Sequence, residues 1–308
     1  MGLSLAMLAA VLFDRLLGEP RRLHPVVGFG ALATRVGRDL QPHGRIGGVL
    51  AVALLVLLPG VATALAVVLL PAAVGWMVAA VLASLCIAAR SLREHGQAVA
   101  APLAAGDLPA ARRAVARLVS RETAAMDAAA IRRAVIESLL ENASDGVFAS
   151  LFWFAVGGLV GGPAAAAALV IGHRLANTLD AMWGYRTPAW RRFGWAAARL
   201  DDLLNWLPAR ASAASLALVG DRRAALACWR AQAGACDSPN AGPVMSAGAG
   251  ALGLRLGGAA RYHGQQRARP VLGCGAPPAD GDVRRALALI GRALVLWCAV
   301  IVGLDVVL

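Results

Sequence analysis

The sequence predicts an all-α, polytopic integral membrane protein, and three observations predict it. Of the 308 residues, 59% are hydrophobic and 16% are charged, against about half and a quarter in a soluble domain. The apolar residues fall in long runs, with a mean hydropathy of +0.64. Arg-rich segments separate those runs, as expected of loops that face anionic lipid.

The expected spans lie at about 1–17, 46–70, 72–89, 147–172, 203–220 and 286–308. Polar loops fill 18–45, 90–146, 173–202 and 221–285, all within one membrane domain, 1–308. The first run lacks a basic leader and an A-x-A site, so it reads as an anchor or inserted helix, not a cleaved signal. Pro71 divides the next two runs, which form a helical hairpin. Segment 90–146 has apolar residues at helical spacing and reads as amphipathic cytoplasmic helices. One of these opens at "GDLPAARRAVARLV", with Asp107 as N-cap and Pro109 in the first turn.

The run 147–172 is interrupted by "GGLVGGP" at 157–163. If every run crossed the bilayer, the Arg-rich segment 174–199 would lie opposite the other basic segments, against the positive-inside rule. A re-entrant hairpin bent at Gly157–Pro163 avoids this, provided protein or water satisfies its bent backbone. The last span carries only Arg292 and Asp305.

The net charge of +12 comes entirely from Arg, because Lys is absent. A P-loop, which needs Lys, is therefore excluded. The positive charge is assigned to lipid-facing loops rather than to nucleic acid. Cysteines at 86, 228, 236, 274 and 298 form no C-x-x-C pair and no zinc pattern with the histidines.

Five polar clusters meet apolar runs. In "ESLLENASDG", Glu137, Glu141 and Asp145 come four residues apart and line one helical stripe, flanked by Asn142. The stripe is either a solvated face paired with Arg132 and Arg133 or a site at the membrane boundary, where acids are costly. Asp145-Gly146 also reads as a helix-ending turn. In "NTLDAMWGYR", Asn177 and Asp180 share a face and Gly184-Tyr185 ends the helix; a plain polar cap is the alternative. In "ARLDDLLNWLPAR", Arg199, Asp202 and Asn205 recur at spacing three beside Asp201, with Arg210 closing the stretch; the alternative is a local Arg–Asp pair. "DSPNAG" reads as a rigid turn exposing Ser238 and Asn240. "DRLLGEPRRLHPV" places His24 between Pro-containing turns, as a ligand or a structural residue. Carboxylates with amide oxygens suit Mg²⁺, and Arg suits phosphate and carboxylate.

In this order, "D-x-x-x-G-E-P…HPV", "ESLLENASDG", "NTLDAMWGY", "FGWAAARLDDLLNWLPAR", "SPN" and "GALGLRLGG…Y-x-G" resemble the CobD/CbiB family of cobalamin-biosynthesis membrane proteins. The likeness runs from about residue 14 to 265. It implies an ATP-dependent acid–amine ligase with ATP and Mg²⁺ as cofactors. The reaction joins adenosylcobyric acid to (R)-1-amino-2-propanol or its O-phosphate, giving adenosylcobinamide or its phosphate. The implied partners are the corrinoid, the aminopropanol or its phosphate and membrane lipid, but no nucleic acid. The implied location is the cell (inner) membrane, with the site on the cytoplasmic side. A complex with later cobalamin-assembly enzymes is compatible with the resemblance.

Within the resemblance, Glu141, Asp145, Asp201 and Asp202 are expected to be catalytic as metal ligands or bases, with Glu141, Asp145 and Asp202 as the magnesium set. Asn142, Asn177, Asp180 and Asn205 are expected to orient substrate or metal-bound water, and Arg199 and Arg210 to hold phosphate or carboxylate. Ser238, Asn240 and His24 complete the expected substrate-binding set. The chain departs from the family pattern at four places. Glu19 replaces Asp, Ser150 replaces Pro, His173-Arg174 replaces Tyr-Lys, and Met245 stands where an acid is usual. A transporter or a non-catalytic scaffold for corrinoid enzymes are the rival classes. A transporter should show more full spans and an internal repeat, which the chain lacks.

Overall fold

Short polar caps decide where several helices begin. Asp107, Asp127 and Asp221 each turn a carboxylate onto the backbone N–H three residues ahead, at 2.9, 2.7 and 3.1 Å. The computed structural model describes residues 2–18, 25–184, 187–188, 190–262 and 265–307. Its helices are α1 (Leu3–Leu17), α2 (Pro25–Leu40), α3 (Gly44–Val52), α4 (Leu58–Val68), α5 (Ala72–Cys86), α6 (Ala89–Ala104), α7 (Leu108–Val115), α8 (Ala128–Ala143), α9 (Ala149–Trp183), α10 (Trp195–Leu204), α11 (Trp206–Val219), α12 (Arg222–Gln232), α13 (Ala241–Leu252) and α14 (Asp282–Val307). Four short strands, β1 (Arg255–Gly257), β2 (Ala260–Tyr262), β3 (Gln265–Arg267) and β4 (Val271–Gly273), form two antiparallel pairs, β1–β4 and β2–β3.

Among the described residues, four helical stretches are long and apolar enough to cross a membrane: Pro25–Val68, Ala72–Ala104, Ala128–Trp183 and Asp282–Asp305. The first extends N-terminally through much of the expected polar loop 18–45. The polar stretch 221–285 is also more structured than its composition suggests. It holds α12, the strands and α13, whose small residues are buried almost throughout.

The helices gather into two compact units. One comprises residues 1–89, 145–205 and 298–308; the other comprises 90–144 and 206–297. The core of the first contains Ala33, Ala51, Leu55, Val56, Ala176, Leu179, Trp183, Phe193 and Ala197. Trp183 and Phe193 meet edge to face with centroids 4.8 Å apart. In α9, Ala176, Leu179 and Trp183 recur at helical spacing and face this core, which leaves His173, Asn177 and Asp180 on an adjoining face. Ala197 brings α10 onto the same core.

Inside α9 the backbone breaks at Gly161 and Gly162, and Gly162 has φ +64°. The chain doubles back there. A Cβ on Gly157 would collide with the Ala165 carbonyl and the Ala166 Cα, which lie far apart from it on a straight helix. The expected bend at Gly157–Pro163 is therefore present as a tight helical hairpin. Only 147–160 and 163–172 are uniformly apolar in its two arms, each short of the ~20 residues of a full span.

Two outcomes follow from this hairpin. Gly157→Ala forces the arms apart and is expected to cost about 1–3 kcal/mol, the usual range for overpacking, read as a lower unfolding midpoint in detergent. Val160, 82% exposed at the tip, tests the re-entrant reading. With the native cysteines replaced, Val160→Cys should resist a membrane-impermeant maleimide added from the periplasmic side; rapid labelling would make each arm a full span.

Candidate functional site

The richest polar cluster sits where the second arm of α9 packs antiparallel to α10. His173 pairs with Asn205 and Asn177 with Asp201, so the positions run in opposite directions along the two helices. His173 Nε2 lies 3.0 Å from Asn205 Oδ1. Asn205 Nδ2 donates to Asp201 Oδ1 at 2.9 Å, and Asn177 Nδ2 donates to the same oxygen at 3.2 Å. No hydrogen bond among the described residues uses Asp201 Oδ2. Asp180 and Asp202 both act electrostatically on this carboxyl. Arg199 Nη1 reaches Asp202 Oδ2 at 3.5 Å, a weak and largely exposed contact. The Asp180 carboxylate is folded against the backbone of Gly184, which ends α9 as the sequence suggests.

This arrangement corrects the expected pairing on α10. The spacing Arg199, Asp202, Asn205 suggests one face, but Asn205 turns to Asp201, four residues back. Burial pushes the Asp201 carboxyl up to about 7, reinforced by Asp180 and Asp202 and opposed by the two amide donors. A carboxyl that exchanges its proton near neutrality can act as a general base or acid.

In the other unit, Glu137 is buried and accepts hydrogen bonds from Arg121 and Arg269, both at 2.6 Å, and from the Gly257 N–H at 2.8 Å. It therefore ties α8 to β1 and is not the solvated partner of Arg132 and Arg133. Arg132 instead pairs with Asp280. Removing one partner of so buried a pair costs about 3–5 kcal/mol, which marks Glu137 as a structural anchor. Glu141, one turn further on, is exposed and lies within the field of Glu137, Arg269 and Arg121. Asn142 is exposed and donates to Ser138 O at 2.8 Å and Ser138 Oγ at 3.0 Å.

Asp145 is half-buried, near the start of the π-helical turn Ser144–Phe148. Asp145-Gly146 does not end the helix, as the sequence also allowed.

Arg210 donates to Asn240 Oδ1 and Pro239 O, both at 3.3 Å, and to Trp206 O at 2.9 Å. Its guanidinium also stacks on Trp206, 4.2 Å from the ring centroid. Ser238 Oγ accepts from Asn240 N and Ala241 N and so opens α13. The S-P-N turn is a helix start, and Asn240 is buried rather than exposed. Met245 is 4% exposed in α13, where an acid would sit buried among small residues. His24 lies outside the described residues.

Among the described residues, no group of three His, Cys, Asp or Glu is arranged to hold a metal. Asp180, Asp201 and Asp202 nonetheless repel one another in a half-buried setting, which a cation would relieve. One or two carboxylates, completed by substrate phosphates, are the usual magnesium arrangement, so the residues fit that ion. His173 is the member that the spacing pattern did not single out. Its signal was present, because positions 173, 177 and 180 share one face of α9.

The model of the CobD/Cbib protein family matches residues 7–290. The chain belongs to the CobD/CbiB family. It is 50% identical to the cobalamin biosynthesis protein CobD of Stutzerimonas stutzeri over 98% of this chain and 97% of that one. It is 50% identical to the CobD of Chromobacterium violaceum over 94% and 93%, and 40% identical to that of Mycobacterium tuberculosis over 93% and 90%. No solved structure matches the chain.

The raised Asp201 carboxyl predicts a pH dependence. The native state keeps a proton that the unfolded chain releases near 3.8. Its contribution to stability is fully present below that value and is lost as pH rises, the loss being complete above about 7. The unfolding midpoint of the wild type should therefore fall more between pH 5 and pH 8 than that of Asp201→Asn. Parallel curves would show that Asp201 titrates normally.

Proposed function

We propose that this CobD/CbiB family member acts in cobalamin biosynthesis as an ATP-dependent ligase. It would join the propionate carboxylate of adenosylcobyric acid to the amine of (R)-1-amino-2-propanol or its O-phosphate. Family membership supports the pathway. The observation that carries the chemistry is the convergence of Asp180, Asp201 and Asp202 with two amide donors at the end of an otherwise apolar hairpin.

A carboxylate resists attack by an amine until its oxygen becomes a leaving group, as in an acyl phosphate made from ATP. Magnesium, when bound, would neutralise charge on the transferring phosphoryl group. Asp202 and Asp180 would hold it together with the phosphates. Asp201, with Oδ2 open, would take a proton from the substrate ammonium, leaving the free amine to attack. Asn177 and Asn205 keep that oxygen turned outward by occupying Oδ1. In the other unit, Arg210, oriented by Asn240 and Trp206, has a guanidinium suited to phosphate or carboxylate. Glu141 and Asn142, also in that unit, are exposed. Asp145 and Arg199 remain candidates for binding, the latter through Asp202.

The decisive assay uses full-length protein in nanodiscs with adenosylcobyric acid, aminopropanol phosphate and Mg-ATP. Mass spectrometry should find the amide product, absent without ATP. Asp202→Asn should lower kcat on the order of 100-fold. Folded protein that yields no amide from either amine would remove the ligase reading in favour of transport or scaffolding.

A further inference from the structure

His173 is 1% exposed, inside the hairpin arm, and lies 3.0 Å from Asn205 Oδ1 through Nε2. The hydrogen-bond roles along this contact are forced. Asn205 uses Nδ2 to donate to Asp201 Oδ1, so its Oδ1 is the atom turned toward the imidazole. An amide oxygen only accepts, so His173 Nε2 carries a proton and donates it. Among the described residues the other ring nitrogen, Nδ1, is buried with no hydrogen-bond partner, so none of them holds a proton there. The ring is therefore the neutral Nε2–H tautomer. A buried, unpartnered nitrogen is a cost that an apolar side chain of similar size would avoid. The one bond that the imidazole makes is what sets it apart from such a side chain.

That bond sets the direction of the Asn205 amide, whose two ends are nearly equal in shape. Turned the other way, Asn205 would present an oxygen to the Asp201 carboxylate instead of a donor. We propose that His173 is a positioning residue: by donating from Nε2 to Asn205 Oδ1 it points Asn205 Nδ2 at Asp201 Oδ1 and leaves Asp201 Oδ2 open to the reacting groups. The catalytic consequence rests on the ligase reading above, whereas the relay itself does not. The charges around the relay are Asp180 and Arg174 on α9, Asp202 and Arg199 on α10, and Arg45 of α3, which stacks on Trp195 at the far end of α10. None of them takes the place of the His173 donor among the described residues.

The test uses full-length wild type, His173→Phe and His173→Gln in nanodiscs. Gln carries an N–H donor near the place of Nε2, and Phe carries none. His173→Phe should lower kcat about 10–100-fold with KM little changed, in the range of other orienting partners. His173→Gln should recover most of that loss. In ¹⁵N-histidine-labelled protein, the resonance missing from His173→Gln should be a neutral ring protonated at Nε2 and should move in Asn205→Ala. Full turnover by His173→Phe overturns the proposal, as does a ring protonated at Nδ1. Equal loss of turnover and of unfolding midpoint in both variants would also overturn it, leaving only a packing role. If the wild type makes no amide, the ligase reading fails, and the ¹⁵N response to Asn205→Ala alone supports or overturns the relay.

Discussion

The constraint on which the structure depends is that polar groups carried on apolar helices must find protein partners, because hydrocarbon offers none. The His173–Asn205–Asp201 chain meets it by pairing two helices through side chains. Glu137 meets it differently, drawing two arginines and a backbone N–H around a single carboxylate. In the first case a carboxylate oxygen is left over among the described residues, and in the second hydrogen bonds engage both oxygens. That difference separates a site able to react from an anchor that only holds.

The hairpin serves the same constraint. A straight α9 would carry His173, Asn177 and Asp180 onward from a continuous apolar rod. Doubling back at Gly161–Gly162 shortens each apolar arm instead. Gly157 allows the arms to touch backbone to backbone, so close packing replaces the contacts that bulky side chains would make. The core around Trp183 and Phe193 then sets the rotation of α9, and with it which residues face α10. The placement of the His173–Asn205–Asp201 chain is thus tied to small residues in the hairpin.

The small-residue helix α13 plays a comparable part in the second unit. Met245 lies buried in it among small residues and is a packing residue here. Gln232 clamps Gly273 through both backbone atoms, at 3.0 and 2.6 Å, and Glu137 holds Gly257. The short strands therefore hang on side chains rather than on strand length, which explains why composition alone reads them as loop.

The sequence by itself determined the helical membrane class, the bend at Gly157–Pro163, the cap at Asp107 and the family, because these follow from local chemistry: runs of apolar residues, helix-breaking dipeptides, capping carboxylates and ordered motifs. It also placed most of the polar candidates on the right helices. Only the tertiary structure decided which partners each one meets. Asp201 rather than Asp202 receives the amides because helix packing, not spacing along one helix, chooses the partner. Glu137 is an anchor because residues 121, 257 and 269, distant in the chain, converge on it. His173 entered the site through a contact 32 residues away, and periodicity within one helix carries no information about the helix it will meet.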